Sequence, residues 1–407
     1  MSEILKYDSQ AWKKRTGIFI ASQMFSIFGS SIVSYAIIWH ITLETSSAKV
    51  MALSIITSFL PQIVISLFAG VWADRYNRKV IIMLSDLMSA LASLFLVIFL
   101  AGGNFSLGMI FLVNAIRSIG TGIQLPAVSA ILPQLVPKDK LTRVNGINSS
   151  LTSVLLIASP AAGGILLGTM GFASTLYVDV FSALVAILIM AALKYENVHQ
   201  KKPSEADQAK VSTLAFMKEG FIYIKSNPLI RSLLVFYMLF FFLVTPVAFL
   251  SPLLVKRSFG SEVWKLTANE ILWTAGSIIG GIIISLWGGF KNRLATMTLS
   301  CVGFGITLTL IGFASNIWAY LIIIFISGIF MPLFATAETV LIQENVAENM
   351  LGRVFSIVQI IISSVMPLGM LLFGPLGDAV KIEYIIMVTG ICILIISPFI
   401  MRIGKTE

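Results

Sequence analysis

Long apolar runs alternate with short polar interruptions along the whole of this chain. Twelve runs, at about 17–41, 48–73, 80–101, 106–128, 143–168, 172–194, 228–254, 267–288, 294–313, 317–340, 353–377 and 383–402, have the ~20 residues a helix needs to cross a bilayer. Their length excludes a transmembrane β-barrel, whose strands need only ~9–11 residues. The pattern predicts an all-α integral membrane protein of twelve transmembrane helices.

One polar interruption is long, from Lys194 to about Asn227. It contains KKPSEADQAK (Lys201 to Lys210), polar and Pro-bearing like a linker. In the segment that follows, Leu214, Phe216, Met217, Phe221, Ile222 and Ile224 are spaced as in an amphipathic helix lying on the inner membrane surface. An ordinary solvated connector is the alternative. The expected organisation is a six-helix bundle over 1–194, a linker over 195–227 and a second six-helix bundle over 228–407. Traces of a repeat join the two bundles. Trp72–Arg78 (WADRYNR) echoes Trp287–Arg293 (WGGFKNR) 215 residues later, with Gly289 where Asp74 would align. Arg143–Val144 and Arg353–Val354, 210 residues apart, each stand before an apolar span.

Composition agrees with the pattern. Apolar residues make up 57% and charged residues 12%, against about half and a quarter in soluble domains, and mean hydropathy is +0.95. Charge then sets an orientation. Of the 28 Lys and Arg, 21 fall in the terminal segments and the loops after even-numbered spans, and five (Lys49, Lys256, Arg257, Lys265 and Lys381) on the opposite side. Positive-inside asymmetry therefore predicts cytoplasmic termini, and the net charge of +9 reads as topology, with no nucleic-acid partner implied. Lys13, Lys14 and Arg15 precede a first run too long for a cleavable signal peptide. Cys301 and Cys392 lie inside spans and suggest neither a metal site nor a redox role. Gly404–Lys405–Thr406 lacks the upstream glycine of a phosphate-binding loop. His40 and His199 are the only histidines and the loops are short, so neither an enzyme nor a cofactor is expected.

Charges inside the spans are the candidate chemistry, because an ionisable group in hydrocarbon is costly and usually functional. Arg117 lies about 16 Å from the outer end of the fourth span, Asp86 about 9 Å from the inner end of the third, and Asp179 about 10 Å from the outer end of the sixth. An Arg side chain can reach either depth, so both acids are candidate partners. Burial favours a neutral carboxyl and a nearby guanidinium a charged one, so an alternating contact would load and release a proton. A permanent ion pair is the plainer alternative. Glu338 and Glu270 fall near span ends, where hydrated acids are common. Ser159–Gly164 (SPAAGG) sets Pro160, Gly163 and Gly164 where a bend and close packing are expected. The seventh span, with Phe236, Tyr237 and Phe240, suits an amphipathic ligand if it lines a cavity, although lipid-facing rings would read the same way. Gln23, Asn114, Gln124, Asn148 and Gln359 are polar positions that can face such a cavity.

Residues 70–79 read GVWADRYNRK, wedged between two spans. Gly70, Asp74, Arg75, Arg78 and Lys79 match the pattern G-x-x-x-D-R-x-x-R-K, and the loop resembles the signature loop of the major facilitator superfamily. That resemblance implies two parallel six-helix repeats, alternating access, and a loop that latches the halves on the cytoplasmic side. Its acid would sit near a helix N-terminus, where the dipole contributes about 0.3–1 kcal/mol. A positive-inside anchor alone explains the bases but not the acid. Arg117 resembles the family's fourth-helix arginine associated with proton transfer, with Gly120 one residue earlier than usual. SPAAGG resembles the antiporter motif G-P-x-x-G-G, with Ser159 replacing the first glycine. Residues 117–147 and 351–358 resemble the macrolide-efflux branch of the drug:proton antiporters. The resemblance implies a monomeric multi-pass protein of the bacterial cytoplasmic membrane that exchanges protons, through Asp86 or Asp179, for an amphipathic drug. Export of a siderophore or other metabolite and lipid translocation are alternatives, as is a receptor or scaffold without transport.

Overall fold

The computed structural model describes residues 11–103, 106–195 and 213–403; the polar stretch 201–210 lies outside them. The elements are α1 (Ala11–Thr45), α2 (Ala48–Arg75), α3 (Arg78–Ala101), α4 (Leu107–Leu135), a 3-10 turn (Lys138–Lys140), α5 (Leu141–Met170), α6 (Phe172–Ala191), α7 (Thr213–Ser226), α8 (Pro228–Phe259), α9 (Val263–Trp287), α10 (Arg293–Ile311), α11 (Ile317–Asn345), α12 (Glu348–Ala379) and α13 (Ile382–Ile403). All but α7 carry a segment long and apolar enough to cross a membrane. Helices are the expected element because a segment in lipid must satisfy its backbone groups internally. Several run past the predicted span ends: α1 starts at Ala11 and α4 continues to Leu135. In α1 the added turn is polar, Lys13, Lys14 and Arg15, whereas the added residues of α4 include Ile131, Leu132 and Leu135, buried in the core.

Helix starts are marked by asparagines. The Asn77, Asn227, Asn292 and Asn316 side chains accept from the backbone N–H of Lys79, Ile230, Leu294 and Ala319, meeting donors the first turn leaves open. Asn77 and Asn292 are equivalent positions of the sequence repeat. The chain on their N-terminal side differs: α2 runs helically to Arg75, whereas α9 stops at Trp287 and passes through Gly288 and Gly289 with φ of 75° and 76°. A left-handed residue suits glycine, which gives a local reason for the missing acid at position 289.

The chain divides into two compact units, Met1–His40 with Leu53–Lys202, and Ile41–Ala52 with Pro203–Glu407. In the first, α3 packs on α4 and α6 over a core that includes Phe19, Ile82, Ile131, Val136 and Met190. In the second, α9 packs on α11 and α10 on α13, while α12 and α13 flank α8. The α9–α11 crossing is close because small residues line it: a Cβ on Gly276 would come 2.0 Å from the Phe325 carbonyl oxygen, and one on Gly280 2.1 Å from that of Ile329. This is the small-xxx-small solution to helix association in lipid. Residues 213–226 do form a helix, α7, with Ile224 buried and Phe221 and Ile222 exposed. Glu219 of α7 pairs with Arg353 of α12 at 2.9 Å.

Candidate functional site

Three helices of the first unit bring the mid-span charges together. Arg117 on α4 and Asp179 on α6 form a direct ion pair, both buried, at 8% and 1% exposure. Ser93 on α3 lies between them, donating to Asp179 Oδ2 at 2.6 Å and accepting from Arg117 Nη1 at 2.7 Å. The second guanidinium nitrogen donates to the Ser30 carbonyl of α1 at 3.4 Å. Charge and donors are thus matched inside hydrocarbon, the condition under which a buried pair is tolerated.

Asp86 is arranged differently. It is 3% exposed on α3, seven residues and therefore about 10 Å along the helix from Ser93. Ser26 of α1 donates to its Oδ1 at 2.7 Å, and Gln124 of α4 donates to the same oxygen at 2.9 Å. Oδ2 is sealed from solvent with no hydrogen-bond partner. Of the two acids within reach of Arg117, the structure therefore joins Asp179 to the guanidinium and leaves Asp86 on neutral donors. Sequence reasoning missed Ser26 and Ser93; hydroxyls inside apolar spans give no compositional signal.

The loop between α2 and α3 is fastened by its bases. Arg78 is 5% exposed; Nε donates to the Ala73 carbonyl and Nη1 to that of Ala130 near the end of α4, both at 2.9 Å. Lys79 Nζ donates to the Ala191 and Leu193 carbonyls at the end of α6, at 2.7 and 2.8 Å. Cations thus meet helix C-termini, where carbonyls and the dipole favour them. Tyr195, whose hydroxyl donates to Gln134 Oε1, lies beside Arg78, and burial pushes its phenol up. Arg75 is exposed at the end of α2; the Asp74 side chain lies outside the described residues. Gly70 meets no atom within 4 Å of an added Cβ, so close packing does not explain glycine there. In the second unit Arg293, the counterpart of Arg78, donates to the Gly288 carbonyl at 3.1 Å and pairs with Glu344 of α11 at 3.2 Å.

Pro160, Gly163 and Gly164 are buried within α5, which runs unbroken through them. A Cβ on Gly163 would make ordinary contacts with Ile32 and Trp39 of α1. The expected cavity residues divide. Asn114 donates to Ser54 Oγ at 2.9 Å, Gln23 is buried, and Gln124 serves Asp86. Phe236, Tyr237 and Phe240 correct the cavity expectation: at 6%, 0% and 1% exposure they pack on Phe334 in the core of the second unit. The i, i+1, i+4 spacing of these rings marks one helix face, which is the signal for core. Gln359 lines a cavity beside α11 and α12. Among the described residues no group of acids, histidines or cysteines could hold a metal ion.

Comparison with known proteins bears on this arrangement. The family described as transmembrane secretion effector matches residues 13–405. Macrolide efflux protein A of Streptococcus pyogenes is 31% identical over 99% of both chains, and the multidrug efflux pump Tap of Mycolicibacterium fortuitum 23% identical over 93% of this chain and 94% of that one. Among solved structures, the nucleoside transporter NupG covers 98% of this chain and 100% of its own at TM-score 0.73 and 14% identity. A bacterial homolog of the human lysosomal transporter Spinster, inward-facing and unoccupied, gives TM-score 0.73 at 14% identity, covering 97% of each chain. These two likenesses establish a shared fold.

Proposed function

The chain belongs to the transmembrane secretion effector family of the major facilitator superfamily, and on that premise we propose that it is a secondary exporter in the bacterial cytoplasmic membrane, extruding macrolide-like or other amphipathic drugs in exchange for protons. Full-length similarity to a macrolide efflux protein supports the substrate class. The observation that carries the coupling is Asp86. It is a carboxyl buried in a membrane span, held on one oxygen by Ser26 and Gln124 and bare on the other.

A carboxylate so placed lacks the donors that would offset its burial, and a proton removes the uncompensated charge. In this scheme Asp86 is protonated from the outer side as the drug leaves and deprotonated toward the cytoplasm as the drug is captured. Asp179 and Ser93 keep Arg117 oriented and its charge matched, so that Asp86 titrates beside a pair of fixed charge. The signature loop, anchored by Arg78 and Lys79, acts in gating, with Asp74 as its acid. With the termini cytoplasmic, as the positive-inside asymmetry predicts, that loop lies on the inner side. At 100 mV each proton entering contributes about 2.3 kcal/mol, enough to drive substantial accumulation outside.

The deciding experiment is accumulation of radiolabelled erythromycin in a pump-deficient bacterium expressing wild type or Asp86→Asn, with and without a protonophore. Exclusion by wild type that collapses with protonophore and is absent in Asp86→Asn is the expected result. Accumulation in wild type equal to the empty strain, with protein in the membrane, refutes macrolide export.

A further inference from the structure

The second unit contains a buried acid that the coupling scheme does not use. Glu338 lies on α11, seven residues and therefore about 10 Å before its end at Asn345. It is 6% exposed, a contrast to the hydrated interfacial acid expected from its place near a span end. No Lys or Arg among the described residues pairs with it. The phenol of Tyr237 on α8 lies beside it, itself fully buried and without a hydrogen bond of ordinary geometry. Glu338 lines a cavity of about 480 Å³.

That cavity exists because of how two consecutive helices pack. α11 leans on α9 and α10 while α12 leans on α8, leaving space between α11 and α12. Glu338, Thr339, Phe355, Ser356, Gln359 and Ile362 line it. Phe334, one turn before Glu338, packs edge-on against Tyr237 at 5.9 Å between centroids, so the acid rises from an aromatic floor. A buried carboxylate is offset by a cation, a metal or a proton, and a membrane acid of this kind marks a site by default. A carboxylate together with aromatic rings is the pairing that recognises ammonium groups. Asp86 offers a contrast: two side chains hydrogen-bond one oxygen of its carboxyl and the other is sealed, which suits a proton, whereas Glu338 lines a space large enough for an organic group.

We propose that Glu338 is the cation-recognition point of a substrate subsite in the second unit, taking the protonated amine of an amphipathic drug while Phe355 and Ile362 cover its apolar part. Glu338 donates no proton to the coupling cycle in this assignment. It rests on the reading of the chain as a drug exporter and adds the chemical class: lipophilic monocations, which include macrolides bearing a basic amino sugar. Glu338 belongs to the second unit and Asp86 to the first, so drug and proton are assigned to different side chains.

The test is binding of tetraphenylphosphonium to purified full-length wild type, Glu338→Gln and Glu338→Asp. In cells it is paired with exclusion of erythromycin and of its N-oxide, which keeps the shape but lacks the basic amine. An unchanged elution profile and melting transition establish that each variant is folded. Expected are at least about tenfold weaker cation binding in Glu338→Gln, as a buried cation loses its counter-charge, partial retention in Glu338→Asp, and a wild-type preference for erythromycin over the N-oxide that the Gln variant lacks. Equal affinity of wild type and Glu338→Gln for the cation, or no binding to either, overturns the proposal. Wild type that binds the cation through Glu338 yet excludes no erythromycin refutes macrolide export and leaves the cation subsite standing.

Discussion

Asp378, at the end of α12, and Arg257, at the end of α8, are ion-paired at 2.9 Å, and together they clasp the start of α2. The Asp378 carboxylate accepts from the backbone N–H groups of Ala48 and Lys49 at 2.7 and 3.1 Å and from Ser47 Oγ at 2.9 Å. Arg257 donates to the carbonyls of Ser46 and Gly377, both at 2.5 Å. Lys256 adds contacts to the Thr42 and Leu43 carbonyls at 3.1 and 2.5 Å. An acid placed on orphan N–H groups and a helix dipole, with bases on nearby carbonyls, explains why residues 41–52 group with the second unit.

Removing that acid has a calculable effect. Asp378→Asn keeps the shape but loses the charge on the α2 N-terminus, and a cap of this kind contributes about 0.5–2 kcal/mol. The melting temperature in detergent should fall, with a smaller difference from wild type at high salt because both side chains are partly exposed. A variant as stable as wild type at low salt would show that the clasp is incidental.

Arg117 and Asp179 predict a different pattern. Deleting one partner leaves the other charge buried alone, a loss of about 3–5 kcal/mol, so Arg117→Ala and Asp179→Asn should each yield poorly folded protein. Arg117→Gln combined with Asp179→Asn removes both charges and should recover much of the expression and thermal stability. Recovery of the fold without recovery of drug exclusion would give the pair a part in coupling beyond support. Single variants as stable as wild type would contradict the buried pair.

What the sequence reveals here follows from the physics of lipid. Twelve spans are legible because apolar length is a strong signal, and Asp86, Arg117 and Asp179 stand out because charge inside a span is another. Depth along a helix fixes reach but not azimuth, so the choice of Asp179 over Asp86 for Arg117 needed the packing of α3, α4 and α6. The burial of Glu338 is hidden for the same reason: a position near a span end says nothing about what packs beside it. The rings at Phe236, Tyr237 and Phe240 looked like a cavity by density, and only their shared face identifies them as core. Asp378 and Ala48 are 330 residues apart, and nothing local in either segment announces the contact.

Close helix approach makes a third prediction. Gly276→Ala would put a methyl 2.0 Å from a backbone oxygen of α11, so α9 and α11 must separate; overpacking of this kind costs about 1–3 kcal/mol or more. Gly70→Ala, with open space around the new methyl, should leave stability unchanged. Comparing the two by melting transition checks both at once, and an unperturbed Gly276→Ala would mean that the crossing is looser than described.

The last prediction separates proton from drug. If Asp86 carries the proton, Asp86→Asn mimics the neutral acid permanently: Ser26 and Gln124 can still hold the side chain, so the protein should fold and bind drug. Exchange, however, would stop. In proteoliposomes carrying a pH-sensitive dye, drug added to wild type should move protons in the direction opposite to the drug, and Asp86→Asn should show none of that movement. Gln124→Ala removes one of the two donors that favour the charged form, so its proton movement should persist with an altered pH dependence. Drug-dependent proton movement undiminished in Asp86→Asn would transfer the coupling role to another group, with Asp179, already joined to Arg117, the next to test by the paired neutralisation above.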